Sequence, residues 1–125
     1  MTDRLEAERL GMPFLLYEDG AGNEQVYMLE DTAVRKITVG RAPAADVLLT
    51  WDSKISGVHA ELERIGDGWA VADDGLSRNG TFVNEERLQG RRRLEHGDSL
   101  RFGDTIVRYH ASEYREYGET VVSPP

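Results

Sequence analysis

Arg41 directly follows a glycine that ends an apolar run. Lys54 and Ser56 come next, two residues apart, and Arg78-Asn79-Gly80-Thr81 completes the set. An arginine offers a planar fork of donors that stays charged at every physiological pH and suits bidentate contact with an oxyanion. Lys54 adds a compact positive charge. Ser56 adds a hydroxyl, and in a turn its backbone N–H adds a further donor. These are the groups needed by a phosphate monoester, which carries about −1.5 to −2 charges and three strong acceptor oxygens at neutral pH. Each also has a plain reading: Arg41 and Lys54 as solvated loop cations, Ser56 as a hydroxyl bonding its own loop.

Ser56 and His59 form a Ser-x-x-His pair, which invites a hydrolytic reading. Residues three apart in an extended chain point to opposite faces, and neither an orienting third residue nor a nucleophile elbow is identifiable. No residue is assigned as catalytic. His96 and His110 lack ligand spacing with each other or with His59, and the chain has no cysteine, so neither a metal nor another cofactor is expected. Arg87, Arg91, Arg92 and Arg93 crowd one segment, but Glu85, Glu86 and Glu95 surround them and no stacking aromatic interleaves. That run reads as a solvated hairpin edge whose charge blocks unwanted strand pairing, or as a feature favouring acidic residues beside a bound phosphate.

The elements that must position these residues are short. Residues 14–17, 25–30, 36–40, 46–49, 59–65, 69–73, 81–83, 87–88, 99–102 and 105–109 read as strands between turn signals. Gly66-Asp67-Gly68 and Gly103-Asp104 read as hairpin connections. Ala60, Leu62 and Arg64 alternate with Glu61 and Glu63, and Trp69, Val71 and Asp73 with Ala70 and Ala72. A period of two, with β-branched and aromatic residues, argues for a sandwich of two antiparallel sheets. Residues 1–12 read as an N-terminal arm or short helix with Leu5 and Leu10 on a thin apolar side, 13–111 as the domain, and 112–125 as a flexible tail.

Composition bounds the function. The 125 residues, 39% of them hydrophobic, are enough for one domain with a core that needs no staples. Fifteen basic against 23 acidic side chains leave a formal charge of −8, which argues against a nucleic-acid partner. Salt screens exposed charges beyond about 8 Å, so a few local cations can still hold one phosphate. The charged opening MTDRLEAERL resembles no export signal, and no apolar run approaches membrane-spanning length. A soluble, cytoplasmic chain with no membrane partner is the expectation.

Four segments stand in a telling order: Gly40-Arg41; Ser56-Gly57-Val58-His59-Ala60; Asp73 through Arg78-Asn79-Gly80-Thr81 to Asn84; and Leu94-Glu95-His96-Gly97-Asp98. Together they resemble the forkhead-associated (FHA) domain family over residues 14–109. The resemblance implies an all-β FHA-like sandwich that binds a phosphothreonine-containing protein or peptide and performs no catalysis. It implies that Arg41, Lys54 and Ser56 contact the phosphate, that Asn79 holds the peptide backbone, and that Arg78 lies at the same rim. It gives His59 the task of bracing the binding loops, with Gly40, Gly57, Gly80, Thr81 and Asn84 supporting the site. Two positions depart from the family pattern: Gly57 replaces a common arginine or asparagine, and Arg78 replaces a small hydroxyl residue. The expected function is a signalling adaptor in a serine/threonine kinase pathway. The alternative is a phosphate-independent assembly domain on the same fold, which Gly57 and the overall acidity favour. Thr120, in Glu119-Thr120-Val121-Val122, offers self-association if phosphorylated, through its own or a neighbour's site.

Overall fold

The computed structural model describes residues 4–29 and 34–111. Thr120 and the expected tail, residues 112–125, lie outside the described residues. Among the described residues eleven strands follow one short helix: α1 (Arg4–Leu10), β1 (Phe14–Glu18), β2 (Glu24–Met28), β3 (Lys36–Gly40), β4 (Val47–Leu48), β5 (Ala60–Ile65), β6 (Gly68–Asp73), β7 (Thr81–Val83), β8 (Glu86–Arg87), β9 (Gly90–Arg93), β10 (Ser99–Phe102) and β11 (Thr105–His110). They form two sheets, ordered β2-β1-β11-β10-β7-β8 and β4-β3-β5-β6-β9. Pairing is antiparallel except between β3 and the two-residue β4, which run parallel.

The inward positions of both sheets make one core. Leu15, Val107 and Leu100 from the first sheet meet Val39, Leu62, Trp69 and Val71 from the second, all buried. The alternation expected for β5 holds. In β6 both faces are buried, and the register explains why. Ala70 and Ala72 point outward but lie between Glu63 and Arg93 and between Glu61 and Arg91. The small alanines let Arg91 reach across to Glu63, Nε to Oε1 at 2.9 Å, and the long stems cover the methyl groups.

Two expectations are corrected. The segment from Arg87 to Arg93 is not one hairpin edge. Leu88 is buried, Gly90 takes a φ of 79°, and the chain crosses from the edge of one sheet (β8) to the edge of the other (β9). In α1 the packing residue is Ala7, buried against Phe14 and Leu16, while Leu5 and Leu10 stay exposed. A small side chain lets so short a helix approach the sheet closely, and Gly11 at φ 74° ends it.

The register also sets which loops share an end. β3 ends where β5 begins and β6 ends, and Thr81 at the start of β7 pairs with Phe102 at the end of β10. Loops 41–46, 49–59 and 74–80 and the 103–104 turn therefore gather at one end of the sandwich. Burial and surface pairing should separate sharply in a denaturant melt. Leu62→Ala is expected to lower stability by about 2–5 kcal/mol, and Arg91→Ala, which breaks an exposed pair, by about 1 kcal/mol or less.

Candidate functional site

The gathered loops are held together by a buried imidazole. His59 is fully excluded from solvent. Its Nδ1 accepts the Ser56 backbone N–H at 3.0 Å, so the proton sits on Nε2, which donates to the Gly80 carbonyl at 2.9 Å. One neutral ring thus ties loop 49–59 to loop 74–80, and it packs edge-on against Phe102. Because Nδ1 binds the backbone and not the hydroxyl, Ser56 and His59 do not form a nucleophile–base pair. The same bond corrects the expectation that the Ser56 N–H points at an anion: it is spent on His59.

Loop 74–80 is shaped by Asp73, which is not among the expected site residues. Its carboxylate accepts the N–H groups of Leu76 and Ser77 and the hydroxyls of Ser77 and Thr81. The Ser77 hydroxyl then accepts the Gly80 N–H at 2.9 Å. Burial pushes the Asp73 carboxyl up, but hydrogen bonds from Ser77, Thr81 and Leu76 outweigh it and hold it below the ordinary carboxylate range. The signal was available, since an aspartate followed by a serine four residues on and by glycines is a recurrent loop-closing pattern.

Close backbone approach does the rest. The Arg41 N–H bonds the Ser56 carbonyl and the Ala42 N–H bonds that of Gly57. A Cβ on Gly40 would stand 1.9 Å from the Gly57 oxygen, so only glycine admits this contact. Gly57 is different, because a Cβ there would meet only the Ala42 methyl at 3.5 Å. Gly80 needs its lack of a side chain twice: its φ is 92°, and the Arg87 guanidinium lies against its α-carbon.

The candidate ligand-binding residues sit on this frame. The Arg41 side chain is anchored by Nε to the Ile55 carbonyl at 2.8 Å, and the guanidinium has no carboxylate partner among the described residues. The Ser56 hydroxyl accepts the Arg78 N–H at 2.9 Å, so its own hydrogen remains to donate. Asn79 donates through Nδ2 to the Lys54 carbonyl at 2.8 Å, keeping its oxygen and second N–H. The Arg78 guanidinium has no partner among the described residues. Lys54 is less available, because its ammonium pairs with Asp104 at 3.1 Å. Asp104 is set in turn by the buried Asp52, which accepts the Asp104 and Lys54 N–H groups and the Thr105 hydroxyl.

Thr81 is buried at the start of β7 on Asp73. Asn84 is not brought to the cluster. It bonds Asp98 and the Ser99 N–H in the turn at the opposite end of β7, about 10 Å along the strand. An open groove of ≈ 790 Å³ adjoins Lys54, lined among others by Tyr17, Trp51, Asp104 and Arg108, but neither Arg41 nor Ser56 lines it. The donor cluster is a convergence of loop tips and needs no deep cavity, since an anion is held by aimed donors and not by enclosed volume.

Comparison with known proteins fits this geometry. The FHA domain family model matches residues 37–103. The chain is 47% identical over 70 residues to a mouse transcription factor 19-like protein, covering 50% of this chain and 27% of that one. It is 33% identical over 93 residues to an oxoglutarate dehydrogenase inhibitor of Corynebacterium jeikeium, covering 74% and 60%. The chain therefore spans less than two thirds of either relative. Among solved structures it resembles an FHA domain studied for phosphothreonine-dependent interactions, with 28% identity, TM-score 0.66, and coverage of 79% and 95%. It also resembles Mycobacterium tuberculosis EmbR in complex with a low-affinity phosphopeptide, with 25% identity, TM-score 0.66, and coverage of 79% and 24%. With the family's segments folded onto two packed sheets and its loops tied through one buried histidine, this chain belongs to the FHA domain family.

Proposed function

We propose that this chain is a phosphothreonine-dependent peptide-binding module, with Arg41, Ser56 and Lys54 on the phosphate, Asn79 on the peptide backbone and Arg78 at the rim. FHA domains are binding modules and not enzymes. The FHA domain studied for phosphothreonine-dependent interactions and the EmbR complex with a phosphopeptide support the class of ligand, and the residue roles are carried over from the family pattern. The single observation that carries the reading is the Arg41 anchor. Its guanidinium is tied to the Ile55 carbonyl, one residue from the Ser56 hydroxyl, and no carboxylate neutralises it among the described residues. An unneutralised cation fixed beside a free O–H donor is prepared for an anion before the anion arrives. Each charge-assisted bond contributes about 1.5–3 kcal/mol net, and three of them reach roughly micromolar affinity after ordering costs. Within this reading the protein is a cytoplasmic adaptor that brings a phosphorylated partner, or a serine/threonine kinase, to whatever accompanies the domain.

The phosphate-independent alternative draws on Lys54, already paired with Asp104, and on Gly57, which brings no side chain. A phosphothreonine peptide titrated beside its unphosphorylated twin decides between them, and equal binding supports assembly.

Arg41→Ala is expected to weaken phosphopeptide binding at least about tenfold by calorimetry, which is one lost charge-assisted bond. Unchanged affinity would remove Arg41 from the site. Gly57→Asn, placed where a Cβ has room, is expected to strengthen binding a few-fold by restoring a side-chain donor. Asp73→Ala is expected to cost about 1–3 kcal/mol of stability by stranding its donors, and to weaken binding through a loosened loop. Its folded pKa lies below the unfolded value of about 3.9. Its contribution is therefore complete above that pH and is lost as pH falls through the folded value. An acid titration followed by fluorescence should show a smaller stability loss below pH 4 in Asp73→Asn than in wild type.

A further inference from the structure

The arginines of the segment from Arg87 to Arg93 are not equivalent in the fold. Arg91 pairs with Glu63, Arg92 with Glu86, and Arg93 with Asp67. Arg87 makes no ion pair among the described residues. It stands in a cross-strand row on the outer face of the first sheet, where Arg101 is opposite Phe82 and Phe82 is opposite Arg87. Both guanidiniums lie over the Phe82 ring, Arg101 at 4.2 Å and Arg87 at 5.9 Å. Arg101 is neutralised by Glu85 at 3.1 Å. Arg87 keeps its full charge.

Its placement follows from the register. β8 runs antiparallel to β7 and back toward the loop end, where the Leu88 N–H bonds the Thr81 carbonyl. The Arg87 guanidinium therefore comes to rest on Gly80, its central carbon 2.9 Å from where a Cβ would stand. Asn79, assigned to the peptide backbone, is the preceding residue, one Cα step of about 3.8 Å away. The ring of Phe82 and the bare α-carbon of Gly80 hold the fork, and its N–H edges remain for a ligand.

We propose that Arg87 is a specificity-determining contact of the peptide site, selecting an aspartate or glutamate close in sequence to the phosphothreonine. The proposal rests on the phosphothreonine reading above. A carboxylate is the matching ligand, because a planar guanidinium bonds it bidentately and no carboxylate of the described chain occupies it. The contact is partly exposed, so its effect is selective and modest: about fivefold, the upper range for exposed pairs, and smaller at high salt.

The test measures dissociation constants for a phosphothreonine peptide with alanines at the flanking positions and for variants carrying one glutamate at each position in turn. Wild type is expected to favour glutamate over alanine about fivefold at one position. Arg87→Gln, which keeps much of the stem, should bring that ratio near one, Arg87→Lys should retain part of it, and Arg92→Ala should leave it intact. Taking the ratio within each variant removes any general loss of affinity or stability. The assignment is overturned if phosphate is required but no position prefers glutamate, or if Arg87→Gln keeps the preference. If wild type binds phosphorylated and unphosphorylated peptides alike, the phosphothreonine reading falls first and the Arg87 proposal falls with it.

Discussion

A buried imidazole without partners would cost several kcal/mol of lost hydration, yet His59 is completely enclosed. Burial is tolerable because both ring nitrogens are satisfied by backbone, one by the Ser56 N–H and the other by the Gly80 carbonyl. One group lies in the β4–β5 loop of the second sheet and the other in the loop that crosses from β6 to β7 of the first, so the ring fixes a distance that no strand pairing sets. Around it stand the Arg78 N–H on the Ser56 hydroxyl and the Asn79 amide on the Lys54 carbonyl. Without the ring the two loops are joined, among the described residues, through these exposed bonds alone. With it in place, donors on the two loops keep one spacing, which is what a rigid tetrahedral anion demands.

The sandwich supplies the other constraint. Strand register alone brings the ends of β3, β6 and β10 to one side, but loops of this length would spread in solvent without internal closure. Asp73 closes one of them with its four accepted bonds. Asp52 links another to the β10–β11 turn through Asp104 and Thr105. Its burial favours the neutral acid, but bonds from Asp104, Lys54 and Thr105 outweigh that and hold the carboxyl low. Both aspartates are therefore charged acceptors that organise cation-bearing loops by gathering their backbone and hydroxyl donors.

Much of this was legible in the sequence because period-two alternation and glycine-rich turns act locally. The strands at 36–40, 81–83 and 99–102 lie where their patterns predict. β9 was missed because Arg91, Arg92 and Arg93 on an exposed edge carry no alternation, and its partner β6 shows only alanines on the shared outer face. Ala70 and Ala72 being buried depends on long side chains from two neighbouring strands, which no single segment encodes. The Ser56 N–H was misassigned for the same kind of reason, since only the folded loop turns it toward His59. Asn84 stands near the site in sequence and beyond the strand in space.

The charge distribution joins these levels. A chain of net −8 ought to repel a phosphopeptide, but many of its cations are already paired and a few are not. Lys36, Arg91, Arg92, Arg93 and Arg101 each have a carboxylate within 4.0 Å, whereas Arg108 on β11 and Arg87 on β8 have none among the described residues. At the loop end Arg41, Arg78 and Arg87 have none among the described residues, and only Lys54 is paired. Since salt limits the reach of distant exposed charge to about 8 Å, a ligand at the loops responds mainly to the unpaired guanidiniums nearest it. The two departures from the family pattern differ in sense: Gly57 brings no side chain where an arginine or asparagine is common, and Arg78 brings a cation where a neutral hydroxyl is common. In the proposed reading, recognition leans on the guanidiniums of Arg41, Arg78 and Arg87. Charge acts over a longer range and fixes geometry less tightly, so the identity of the flanking residues is left to whichever cations the frame holds still.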